Sequence, residues 1–215
     1  MKHKALTIAA MLVSAFCMAP ASASIIFTPG NHPQADEVNI LFGAKETGLT
    51  ITGEVGHTGI DAIFASLTGE TLNQNAKGQA DISNDAGKKV DLTSMHFMLE
   101  PGFGFLDFIM NLENGHGTAT VTVESQGDTF NFVLGNGQNF LTIVADGGDV
   151  MTGISVTMDA GGGFLDFKQP RVSGVCEFGA NEECTPILIV PEPGMVGLVG
   201  IALLGLVAIR RRRRQ

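Results

Sequence analysis

Between residues 24 and 190 the chain alternates apolar and polar side chains at a period of two, in short runs. The clearest run is residues 118–124, Thr-Ala-Thr-Val-Thr-Val-Glu, which sets Ala119, Val121 and Val123 on one face. Thr118, Thr120, Thr122 and Glu124 fall on the other, the signature of a half-buried strand. Phe130, Phe132 and Leu134 continue the alternation after a turn at Gln126-Gly127-Asp128. Gly135-Asn136-Gly137 marks the next turn, and Phe140 to Val144 resumes a β-rich run. Ile154, Val156 and Met158 alternate again, and the stretches from Leu49 to Val55 and from Ala80 to Ile82 suit strands. Turn signals about every 8–12 residues predict an all-β body. We expect a single antiparallel β-sandwich, jelly-roll-like, over residues 24–185. No stretch of the body carries helical periodicity.

The two ends have a different character. Met1-Lys2-His3-Lys4 is followed by an apolar run from Ala5 to Met18, then by Pro20 and by small residues at Ala21 and Ala23. That is a secretory signal peptide, residues 1–23, with cleavage by signal peptidase expected after Ala23. Cys17 invites a lipoprotein signal, but Phe16 stands where such signals place a small residue. At the other end, residues 186–193 form a proline-rich tether, and residues 194–209 hold no charge. Arg210, Arg211, Arg212, Arg213 and Arg214 follow, with Gln215 last. A sixteen-residue helix spans about 24 Å, short of a hydrocarbon core of roughly 30 Å, and snorkelling arginines close part of the gap. Residues 194–209 are therefore expected to be a transmembrane helix and residues 210–215 a cytoplasmic basic tail. The body would lie on the outer side of that membrane.

Val190-Pro191-Glu192-Pro193, the glycine-rich apolar run and the terminal arginines together resemble the PEP-CTERM sorting signal of Gram-negative bacteria. Order, spacing and terminal position all match, from Val190 through Arg214. The resemblance implies recognition by the membrane enzyme exosortase, with cutting near Pro191-Glu192-Pro193. It implies transient residence in the inner membrane, then delivery to the cell surface or extracellular matrix of an exopolysaccharide-making bacterium. A weaker resemblance lies in the body. Residues 136–140, Asn-Gly-Gln-Asn-Phe, and residues 166–174 are similar to recurring features of one set of PEP-CTERM bodies, β-sandwich domains with no assigned activity.

One pentapeptide occurs twice, as Gly104-Phe105-Leu106-Asp107-Phe108 and as Gly163-Phe164-Leu165-Asp166-Phe167. The plain expectation is two equivalent edge hairpins, with Phe105, Phe108, Phe164 and Phe167 packing inward and each Asp capping a turn. The alternative is a duplicated half-sandwich, or a paired ligand-binding tip.

Composition narrows the functions. The chain has 215 residues, 28 Gly, no Trp and no Tyr. Residues 24–190 carry six basic and 21 acidic side chains, a formal net of −15, which disfavours binding to nucleic acid. Cys176 and Cys184 are the two cysteines of the body, and export makes a disulfide the expectation. His32, His57, His96 and His116 are scattered, and no nucleophile elbow, P-loop or dinucleotide fingerprint is present. Neither catalytic residues nor a resident cofactor are expected. Asp146 and Asp149, and the turn from Asn136 to Asn139, offer oxygens that suit Ca²⁺, without an EF-hand spacing. A sugar-binding module would lack Trp and Tyr platforms. The sequence thus suggests a non-enzymatic structural or adhesive protein associated with exopolysaccharide. A carbohydrate- or Ca²⁺-binding module is the alternative, and an exported hydrolase a more distant one.

Overall fold

The computed structural model describes residues 24–187 other than 75–76, 87–89 and 181–182. Among these residues there is no helix. The strands are β1 (Ser24–Pro29), β2 (Val38–Phe42), β3 (Glu46–Gly48), β4 (Thr50–Val55), β5 (Asp61–Ala65), β6 (Leu72–Gln74), β7 (Gly78–Gln79), β8 (Asp81–Asn84), β9 (Ser94–Leu99), β10 (Phe103–Gly104), β11 (Asp107–Glu113), β12 (Gly117–Val123), β13 (Asp128–Leu134), β14 (Phe140–Asp146), β15 (Gly153–Met158), β16 (Asp166–Ser173), β17 (Cys176–Phe178) and β18 (Cys184–Pro186).

Fifteen of them join in one hydrogen-bonded sheet that folds over on itself, and every pairing is antiparallel. One layer runs β1-β14-β11-β16-β8-β6-β3, the other β2-β4-β5-β9-β15-β12-β13. Strand β2 turns the corner. Its Val38 and Asn39 pair with β16, whereas Ile40 and Leu41 pair with β4. On the opposite side the Phe27 ring of β1 stacks on Phe130 of β13 at 5.3 Å, so the layers approach there as well. The remaining strands form a small sheet, β10-β17-β18.

The alternation of residues 118–124 is realised as expected: Ala119, Val121 and Val123 are fully buried in β12. Phenylalanine fills the space between the layers. Phe97 of β9 stacks on Phe108 of β11 with ring centroids 4.5 Å apart, and Phe64 of β5 meets the edge of Phe167 of β16 at 5.8 Å. Such pairs contribute about 0.5–1.5 kcal/mol each beyond the area they bury.

The repeated pentapeptide does not form edge hairpins. Asp107 and Asp166 open β11 and β16, which are neighbours in the interior of their layer. A side chain at an edge would not bury four phenylalanines, and Phe105, Phe108, Phe164 and Phe167 are at most 1% exposed. What the fold shows is an approximate two-fold relation. Phe105 bridges Met151, while its counterpart Phe164 bridges Leu92, and Leu92 precedes Met151 by the same offset that separates the two copies. Strands β9 and β15 pair with His96 directly opposite Ser155, which are equivalent positions under that offset, so the axis passes between them. In the other layer the axis falls in the middle of the β11–β16 pair. There the register slips between Ile109 and Asn111, and Gln169 takes a left-handed φ of 53°. This bulge is also where Pro170 is accommodated inside a strand.

Candidate functional site

The registers carry both ends of the body to one pole. Ser24 lies opposite Asp146, Asp107 opposite Val144 and Ser173, and Val38 opposite Val172. The last strand, β18, pairs with β17, and the Ile187 N–H donates to the Val175 carbonyl at 2.8 Å. Pro186, placed at the head of the tether by its sequence, is thus the final residue of a strand. We call this end the tether pole. Cys176 and Cys184 are joined there, with Cα atoms 5.3 Å apart. Closing so short a loop contributes about 2–3 kcal/mol in the chain-entropy account.

Beside this exit is a half-open cleft of about 320 Å³. Leu106, Val175, Pro186 and Ile187 supply apolar wall, and Asp36, Asp107 and Ser173 supply the polar groups. The Ser173 hydroxyl donates to Asp107 Oδ2. Burial pushes the Asp107 carboxyl above its ordinary value. The Ser173 hydrogen bond pulls the other way, and the negative charge of Glu37 adds to the upward push. Glu37 is itself engaged by Arg171, whose other terminal nitrogen donates to Asn31 Oδ1 at 2.6 Å. Asp36 holds a left-handed φ of 56°, a conformation Asp tolerates better than most residues.

The second copy of the pentapeptide lies at the far pole, several positions along the strand pair, roughly 20 Å away. Asp166 also has its carboxyl pushed upward, chiefly by burial, but here Lys168 opposes the push. Lys168 Nζ lies 2.5 Å from Glu113, 3.5 Å from Asp166 and 3.9 Å from Asp81. Desolvation acts to lower the lysine, yet the Glu113 hydrogen bond and the three carboxylates outweigh it and hold it raised. A paired tip is therefore not what the repeat builds, since its two acids face opposite poles.

The other candidates scatter. Asp146 and Asp149 sit on the β14–β15 turn at the tether pole. Asp146 Oδ1 accepts from the Gly147 N–H at 2.8 Å, and Asp149 Oδ1 from Gln126 Nε2 at 2.9 Å. The turn from Asn136 to Asn139 is at the far pole. Asn139 serves as its clamp, donating to the Leu112 carbonyl at 2.7 Å while its oxygen accepts from Gly135. Among the described residues, no group of three His, Cys, Asp or Glu side chains gathers as a metal site. His96 Nε2 lies 3.1 Å from Glu124, which also accepts from Ser155 Oγ at 2.6 Å. His116 Nε2 is 3.1 Å from the Gly161 carbonyl, and His32 Nε2 is 3.2 Å from that of Pro29. His57 lies in the β4–β5 turn. Gly162 and Gly163 serve close packing, since a Cβ on Gly163 would stand 2.6 Å from that of Asp91, while Gly161 takes a left-handed φ of 83° in open space. No phenylalanine among the described residues is exposed, so none forms an open stacking platform. The expected signal peptide with Ala21 and Ala23, the motif from Val190 to Pro193, the run 194–209 and Arg210, Arg211, Arg212, Arg213 and Arg214 lie outside the described residues.

A two-layer all-β body with both ends at one pole leads directly into a C-terminal segment of known class. Residues 190–213 match the PEP-CTERM protein-sorting motif, and the chain carries that motif. The motif implies an exported protein, sorted at the membrane and processed by exosortase. No curated protein matches the chain. Among solved structures, a mutant of CBM29-2, a family 29 carbohydrate-binding module, shares 16% identity over 71% of this chain and 92% of its own. The TM-score is 0.20, too low to carry an argument about fold or ligand.

Proposed function

We propose that the protein is a structural or adhesive component of the cell surface or extracellular matrix, non-enzymatic and associated with exopolysaccharide. The observation that carries this reading is the polarity of the body. The end that leads into the sorting motif and the end that would follow the signal peptide share one pole, so the opposite pole is presented outward. An acidic, disulfide-pinned body stays soluble at that location and concentrates cations around it. Intact mass on the native protein from membrane, surface and medium fractions tests the reading. A species running from Ser24 to near Val190 or Glu192, outside the inner membrane, is expected. A species ending at Gln215 and confined to the inner membrane would overturn release to the surface.

The second reading is a carbohydrate- or Ca²⁺-binding module. The cleft at the tether pole favours the carbohydrate form of this reading over an inert scaffold. A glycan array probed with the processed protein separates the two.

A further inference from the structure

We propose that the cleft at the tether pole is a binding site for a small organic cation, a protonated amine on a compact stem, with the Asp107 carboxylate as its anchor. The inference goes beyond a structural role and does not depend on it.

The argument starts from the repeated pentapeptide. Its two copies show the same burial, residue by residue: three positions buried and two, Leu and Asp, half-buried. Each copy therefore takes a carboxylate partly out of water, which is costly unless a cation compensates. At Asp166 the compensation is internal, because Lys168 stands 3.5 Å away. At Asp107 it is missing. Its polar partner is the Ser173 hydroxyl, and the charge that acts on it is the like charge of Glu37. Arg171 lies close by but is spent on Glu37 and Asn31. Among the described residues, no lysine, arginine or histidine pairs with Asp107.

The position that a cation would occupy opens onto the cleft. A volume of about 320 Å³ admits a molecule of monosaccharide size, well beyond a single ion. The walls select further. Ca²⁺ takes six to eight oxygens, and Leu106, Val175, Pro186 and Ile187 offer it none from their side chains. An amine on a ring or short chain uses both parts: the ammonium reaches Asp107, with Asp36 as second acceptor, and the stem lies on the apolar wall. The acidic pole draws such a ligand in from solution. Its positive charge offsets the burial that now pushes the Asp107 carboxyl upward.

The test is ligand-observed NMR on the full chain in detergent, with glucosamine, N-acetylglucosamine, 1,5-diaminopentane and CaCl₂ as separate probes. We expect saturable binding of glucosamine, no binding of N-acetylglucosamine, and at least a tenfold loss of affinity in Asp107→Asn. Asp166→Asn, at the same place in the other copy, leaves binding unchanged. Pro186→Trp, which fills the cleft from its rim without altering a carboxylate, abolishes binding and guards against misfolding of the first variant. Binding of diaminopentane alongside glucosamine assigns recognition to the amine on any stem. Glucosamine alone assigns it to an amino sugar. No saturable amine binding, equal loss in both Asp variants, or Ca²⁺ binding that depends on Asp107 in place of amine binding would overturn the proposal.

Discussion

The two copies of Gly-Phe-Leu-Asp-Phe begin alike and end differently. In both, the phenylalanines enter the core and the Asp opens an interior strand. The divergence starts just past the shared segment, where Lys168 stands in one copy and Ile109 in the other. Lys168 closes its acid into a four-membered charge cluster; Ile109 contributes nothing to Asp107, which is left beside a cleft. Identical local sequence thus secures identical packing, while the electrostatic state of each acid is decided by what neighbouring strands bring. One copy is structurally complete. The other has the same core and an unmet charge.

Three experiments sharpen or break this comparison. Removal of the rings comes first, because it tests the likeness. Phe108→Ala and Phe167→Ala should each cost about 3–5 kcal/mol, read by chemical denaturation. The ring of Phe108 meets Phe97, Phe105 and Phe167, and that of Phe167 meets Phe64 and Phe108. If one variant lost less than half as much as the other, the copies would not be equivalent in the core.

Lys168→Met tests the difference. It leaves Asp81, Glu113 and Asp166 facing one another without their shared cation. The expected loss is about 1–2 kcal/mol, between the surface and buried limits, since all four groups retain some exposure. A melt unchanged at neutral pH would mean that solvent already screens the cluster.

Asp107→Asn has the smallest effect and the opposite sign. Because the native carboxyl is raised, the folded state holds its proton over a range where the unfolded state, at about pH 3.9, has lost it. Stability therefore falls as pH climbs through that range, and the penalty is complete above it. The Asn variant escapes the penalty. Its melting temperature should exceed the wild type at pH 7, on the order of 1–2 °C, and match it below about pH 3. A lower melting temperature at pH 7 would show that the Ser173 hydrogen bond to the charged acid outweighs burial.

The alternating strand β12 was legible in the sequence, and β11, covered on both faces, was not. β12 alternates because one side meets the core and the other water. β11 buries Phe108, Ile109, Met110, Asn111 and Leu112 in succession, so no period appears, and a short apolar run does not declare its secondary structure. β16 was hidden by Pro170, which reads as a breaker until the bulge at Gln169 is seen to accommodate it. The disulfide pairing followed from there being two cysteines in an exported body, and the structure joins them. The sorting motif was legible because it is read in linear order. The cleft was not, since Asp36, Asp107, Ser173 and Pro186 come from four separated stretches that only the folding of the sheet brings together. One signal was available and went unread: the lysine that follows the second copy and is missing from the first.

The disulfide has a mechanical meaning. Tension on the chain beyond Ile187 enters the body at β18, an edge strand of the small sheet that could otherwise peel away one hydrogen bond at a time. The bond between Cys184 and Cys176 passes the load covalently to the head of β17, and from there through Val175 and Gly174 to the end of β16. β16 lies between β11 on one side and β2 and β8 on the other. A pull along it loads those ladders together, in shear. The chain that leads toward the sorting motif is thus fastened to the body through an interior strand of the large sheet, not through the edge strand from which it emerges.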